Sequence, residues 1–187
     1  MKLVLISLFL IFLQGCSAAL VPYTSDPNKK LSYAYSLLNQ DRPFPAERLG
    51  KESLKDFTDL NDKYGMAEAH TFMASLYKQY SIVKNPRFHV SYPDFDPKNG
   101  KVFFHAHKAI DLFLELDQRT QISKVQFVLA NFYLVLNNTI KGCELYDQSI
   151  VNYQKGISKD PTTGFAISDN FRNFPEMVAA FKHDHCK

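Results

Sequence analysis

Residues 73–77 read Met-Ala-Ser-Leu-Tyr, and a similar pattern returns at residues 129–133, which read Leu-Ala-Asn-Phe-Tyr. Ala34 belongs to an earlier copy, and a second set of small residues comprises Ser53, Ala109 and Ser149. The interval from Ala34 to Ala74 equals that from Ala109 to Ser149, and the interval from Ala74 to Ala130 equals that from Ser53 to Ala109. One unit of about 40 residues therefore occurs three times, with about 16 extra residues in the middle copy.

The spacing of apolar residues is helical almost throughout the chain beyond residue 24. It predicts helices over residues 27–40, 45–62, 65–81, 101–117, 120–137 and 141–157, with a proline near the start of each of the first two. One helix pair cannot bury its apolar face alone, so the pairs must stack on one another. We therefore expect an all-α fold, a short α-solenoid of about three helix pairs, in which residues 163–187 form a C-terminal helical cap.

The repeated pattern resembles that of the tetratricopeptide repeat over residues 28–157. In that family a small residue at the eighth position lets two antiparallel helices approach closely, and a large residue at the eleventh fills the space beside it. Large residues stand three positions after the alanines, as Leu37, Tyr77 and Tyr133. Ala46, Val102 and Gly142 fall where the family has another small residue. The period is longer than in the family, whose repeats have about 34 residues, and the fourth position carries no Trp.

The resemblance implies that the first helix of each pair lines a concave groove that binds a partner protein. The residues carried over to the partner-binding surface of this groove are Tyr35, Asn39, Thr71, Ser75, Lys78, Lys124, Phe127 and Asn131. Glu68, Leu134 and Val135 also fall at groove positions, and we expect the cap to cover the last two. A groove that is polar in its middle and apolar at its end suits an extended or helical peptide.

An inserted segment at residues 81–100 separates the two helices of the middle pair. Long loops inside compact repeats are uncommon and are usually functional or disordered. The segment carries rings beside an arginine, and exposed groups of that kind are typical of partner contacts. We expect the partner to touch Arg87, Phe88, Tyr92 and Phe95. The alternative is a loop whose rings pack back on the helices.

The first residues form an apolar run of about eleven residues after Lys2, which is too short to span a bilayer and is typical of a secretory signal. The sequence Leu13-Gln14-Gly15-Cys16 that follows resembles the bacterial lipoprotein signal, in which the cysteine becomes an acylated N-terminus. The resemblance implies a signal peptide at residues 1–15, a lipidated linker at 16–26 and a helical domain at 27–187. Because Ser17 follows the cysteine, it implies a lipid anchor in the outer membrane, with the domain facing the periplasm. The alternative is ordinary signal cleavage after Ala19.

Two cysteines, Cys143 and Cys186, lie outside the leader. Exported domains meet an oxidising compartment, so we expect these two to form a disulfide. A metal site is the alternative, because His183, Asp184 and His185 precede Cys186. The two histidines are two positions apart, which on a helix directs them to opposite sides, and this spacing favours the disulfide.

Composition and motifs exclude several functions. The chain has 22 Lys and Arg residues and 19 Asp and Glu residues, which gives a net charge of +3. Such a small net charge does not indicate a surface that binds nucleic acid. The chain carries no phosphate-loop, GxSxG or HExxH pattern, so we expect no enzyme activity, no cofactor and no metal. We interpret His105 and His107 either as buried histidines whose ring nitrogens are hydrogen-bonded in the core or as histidines that face solvent.

Two functions fit these expectations. The first is a lipid-anchored adaptor that binds protein partners in an envelope assembly or secretion system. The second is a periplasmic immunity or inhibitor lipoprotein that neutralises a secreted toxin. The fold does not choose between them, and the oligomeric state is left open.

Overall fold

The computed structural model describes residues 22–82, 100–165, 167 and 170–186, and within these residues the chain is entirely helical apart from turns and short connections. Seven α-helices are seen there, together with a single 3-10 turn at Pro161–Thr163. They are α1 Pro27–Asn39, α2 Pro43–Asp59, α3 Lys63–Ile82, α4 Lys101–Glu115, α5 Arg119–Val135, α6 Thr139–Lys159 and α7 Phe174–His185. Cys16, Arg87, Phe88, Tyr92 and Phe95 lie outside the described residues.

The predicted all-α fold is confirmed. Successive helices pack as the pairs α1/α2, α3/α4 and α5/α6, which stack as a short solenoid, and α7 lies against α6. The second helix begins at Pro43 and not at the predicted residue 45. Proline is favoured in the first turn of a helix, because its missing N–H has no partner there anyway.

Three-residue turns join α1 to α2, α2 to α3, α4 to α5 and α5 to α6. The middle residue of each turn is an aspartate or asparagine in the left-handed region, at Asp41, Asn61, Asp117 and Asn137. After Asn61, for example, the N–H of Asp62 donates to the carbonyl of Phe57 at 2.9 Å. This is the hydrogen-bond pattern of a Schellman helix end, and Asn and Asp are the non-glycine residues that best tolerate the left-handed conformation.

The small residues of the repeat are fully buried, as the register predicts. No solvent reaches Ala34, Ala74, Ala130, Ser53, Ala109 or Ser149. A methyl group added to Gly142 of α6 would lie 3.1 Å from the Ala130 carbonyl oxygen of α5. Two of the positions that the repeat keeps small therefore meet across the last pair, and their size sets the separation of its helices.

The C-terminal cap is confirmed, and its helix begins at Phe174. Phe174 and Val178 are buried against the last pair. The expected disulfide is present, because Cys143 of α6 and Cys186 at the end of α7 are bonded with their Cα atoms 5.9 Å apart. The expectation that the cap covers Val135 is wrong, because 42% of that residue is exposed. The cap instead covers a different groove residue, Phe127.

Candidate partner-binding groove

The predicted groove residues lie on α1, α3 and α5, and they differ widely in exposure. Asn39 is exposed at the end of α1, whereas Ser75 is half-buried in the middle of α3. Thr71 is buried, and its hydroxyl donates to the Ala67 carbonyl of the same helix at 2.9 Å. Thr71 therefore presents no surface to a partner in this conformation.

Tyr35 is half-buried where α1 meets α3. Its ring packs edge-on against that of Phe72, with the ring centres 4.8 Å apart. Burial, with the nearby carboxylate of Glu68, raises the pKa of the Tyr35 hydroxyl well above its usual range. This hydroxyl is enclosed and has no hydrogen-bond partner among the described residues. A buried hydroxyl without a partner among the residues described is unusual in a native interior.

An ion pair crosses from α3 to α5 in the middle of the groove. The Lys124 ammonium lies 3.3 Å from the Glu68 carboxylate, and both side chains are partly shielded from solvent. Lys78 lies further along α3, half-buried, and its burial lowers the pKa of the ammonium. The middle of the predicted groove is therefore polar and charged, and Ser75 stands on the same helix between Glu68 and Lys78.

The C-terminal end of the predicted groove is apolar and is covered by α7. The ring of Phe127 contacts Phe174 and Phe181 of α7, with ring centres 5.8 and 5.3 Å away. Asn131, one turn later, donates to the Phe127 carbonyl and accepts from the Tyr146 hydroxyl of α6. Burial raises the pKa of Tyr146 to about 12. Phe127 and Asn131 thus serve the packing of the last pair and its cap.

A buried polar cluster between α2, α3 and α4 was not predicted as a unit. Glu47 is 4% exposed, and its carboxylate accepts a 2.6 Å hydrogen bond from the Tyr77 hydroxyl. The Tyr77 ring lies 5.6 Å from that of His105, whose Nδ1 is 2.8 Å from Nδ1 of His70. Lys51 also pairs with Glu47 at 2.7 Å. The sequence signal for this cluster is Glu47 itself, because it stands at a position of α2 where the helical spacing predicts an apolar residue.

Burial dominates the protonation of the two histidines. It lowers the pKa of His70 to about 4, with a smaller contribution from Lys108. It also lowers the pKa of His105 to about 4, with His70, Lys51 and Lys101 adding to the effect and Glu47 opposing it. Both rings are therefore neutral near pH 7, and one donates to the other. The interpretation of His105 as a core-satisfied histidine agrees with this geometry, and His107 is exposed.

Two further features bear on a site. A cavity of about 390 Å³ lies beside α7, lined by Asn170, Phe171, Met177, Ala180, Phe181, Asp184 and His185. Within the described residues, no three His, Cys, Asp or Glu side chains are placed to hold a metal ion. None of the helices described is both long enough and apolar enough to cross a membrane. No protein-family model, curated protein or solved structure matches this chain.

Proposed function

We propose that this chain is a lipid-anchored adaptor of the bacterial envelope that binds a segment of a partner protein in the groove along α1, α3 and α5. The observation that carries the proposal is the arrangement of charge in that groove. The Glu68–Lys124 pair and the half-buried Lys78 place both signs of charge along α3 and α5.

The groove is tested by photocrosslinking in living cells. A photoreactive phenylalanine at Ser75 should give a discrete adduct with one partner, and the same group at the exposed Val151 of α6 should not. Lys124→Glu should abolish the Ser75 adduct, because it places two carboxylates where the ion pair stood. Lys63→Glu is the matched control, since Lys63 forms another interhelical pair, with Glu115, away from the groove.

Adducts of equal yield from both positions would refute the groove. A single adduct from Ser75 with a secreted toxin would favour the immunity function over the adaptor. An adduct with resident components of an envelope assembly would favour the adaptor.

The anchor is tested separately at Cys16. We expect wild-type protein to incorporate labelled palmitate and to sediment with outer membranes. Cys16→Ser should lose both properties, whereas Cys143→Ser should keep the label, because that cysteine belongs to the folded domain. Absence of label in the wild-type protein would contradict the anchor.

A further inference from the structure

The face of α7 that meets the last pair carries a simple pattern. Phe174, Val178 and Phe181 stand at positions i, i+4 and i+7, so they lie on one side of the helix. Phe174 and Val178 are 1% and 0% exposed, while Phe181 is half-buried. Lys182 follows, and its ammonium lies 2.5 Å from the Asp147 carboxylate.

The surface under α7, which we call the α7 seat, consists of Phe127 of α5 with Asp147 and Tyr153 of α6. Phe127 contacts both rings of α7, and Tyr153 lies 5.0 Å from Phe174 between ring centres. The seat therefore has two aromatic contacts and one carboxylate, spaced for an amphipathic helix. This is the arrangement by which grooves recognise helices through anchors at i, i+4 and i+7.

The second half of α7 is held differently from the first. Its first half is fixed by two fully buried side chains, whereas its second half has the half-buried Phe181 and an ion pair with exposed members. Exposed ion pairs contribute little to stability. The disulfide between Cys143 and Cys186 closes this weakly packed end. The covalent bond thus lies at the less deeply buried end of α7.

We propose that the Cys143–Cys186 disulfide is a latch: its reduction frees the second half of α7, and an amphipathic helix of a partner protein then displaces α7 from its seat. The fitting helix carries a ring, a branched aliphatic residue and a ring at i, i+4 and i+7, followed by a basic residue. The reductant is a dithiol. Its two thiols become a disulfide, and the two electrons and two protons convert Cys143 and Cys186 to thiols. The inference rests on the proposed function, because Phe127 is also the end of the groove.

Hydrogen exchange of the full domain tests the latch. Adding a dithiol should speed the exchange of amides at 178–185 roughly tenfold or more, because only one tether then holds the helix. The amides of α1 and α2 should keep their protection, and they serve as the internal control. Unchanged exchange in α7, or an equal loss of protection in all helices, would overturn the latch, because the bond would then be inert or a general staple.

A peptide experiment tests the seat. The probe is a fluorescent peptide with the chain's own residues 172–186 and serine in place of Cys186. We expect it to bind the Cys143→Ser/Cys186→Ser protein roughly tenfold or more tightly than the oxidised wild type. In that variant α7 has lost the disulfide and is connected to the domain only by the chain that leads into it. Phe127→Ala in the protein, or Phe181→Ala in the peptide, should remove the difference.

Equal binding to the latched and unlatched proteins would overturn the proposal. So would binding that is insensitive to Phe127→Ala, because the peptide would then lie elsewhere. The experiment uses purified protein, so its failure leaves the Ser75 crosslinks and the Cys16 label as they are. A failure of those two tests would likewise leave the peptide result standing.

Discussion

Acidification should destabilise this domain through the imidazole pair that joins α3 to α4. The Nδ1 atoms of His70 and His105 are 2.8 Å apart, and each ring has a pKa lowered to about 4. In the unfolded chain both would titrate near 6.5. The folded state therefore binds fewer protons than the unfolded state between these values, and the free energy of unfolding must fall as the pH falls from 6.5 to 4.

The magnitude follows from the two pKa values. A change from 6.5 to about 4 corresponds to roughly 3 kcal/mol for one histidine. Because both rings keep some contact with solvent, we halve this figure to about 1.5 kcal/mol for each histidine. The two histidines together then account for about 3 kcal/mol. The loss of stability sets in near pH 6.5 and is complete only below about pH 4. A second proton on the pair would place two cations beside each other with Lys51, Lys101 and Lys108 nearby, which opposes it further.

The assay is urea unfolding at several pH values, comparing the slope of unfolding free energy against pH. His105→Gln should remove roughly half of the decrease in unfolding free energy on acidification, whatever the stability of this variant at neutral pH. His107→Gln is the matched control, because His107 is exposed on the same helix, and it should keep the wild-type slope. Equal slopes for His105→Gln and the wild type would refute the reasoning.

Three further changes test packing by thermal and chemical unfolding. Ala74→Leu should cost about 1–3 kcal/mol because Ala74 is fully buried, whereas Ala179→Leu on the exposed side of α7 should be near neutral. Gly156→Ala should cost about 1–2 kcal/mol, since the new methyl would lie 2.7 Å from the Thr120 backbone nitrogen; a gain in stability would contradict that contact. Tyr77→Phe should cost about 1–3 kcal/mol by depriving buried Glu47 of a hydrogen bond, and an unchanged midpoint would exclude that role.

The helices were predictable because their spacing is enforced by packing. Ala74 and Ala130 have no solvent contact, so the repeat register must keep a small residue at each. The turns carry a second signal that the repeat pattern did not use. The interval from Asp41 to Asn61 equals that from Asp117 to Asn137, and all four adopt the left-handed conformation that ends a helix. These four residues therefore mark where the four helices end.

The site was less predictable, because its geometry depends on contacts between distant residues. His70 and His105 are 35 positions apart, and no periodicity brings them together. Phe127 stands at a groove position, yet which groove residues the cap covers depends on the path of the chain between α6 and α7. A repeat register gives the side of a helix on which a residue lies. It does not predict which other part of the chain covers that side.

The packing of α4 makes the acid effect global. On one side His105 of α4 contacts His70 and Tyr77 of α3. On the other side Phe103 of α4 lies 5.2 Å from Phe132 and 5.1 Å from Tyr133 of α5. Tyr77 and Tyr133 stand at equivalent positions of the repeat, yet both contact this one helix. Protonation of the His70–His105 pair, which pushes α3 away from α4, therefore weakens the contact that joins the first part of the solenoid to the last. In a stack where each pair contacts only its neighbours, what then remains between the two parts is the direct contact of α3 with α5, to which the Glu68–Lys124 ion pair belongs.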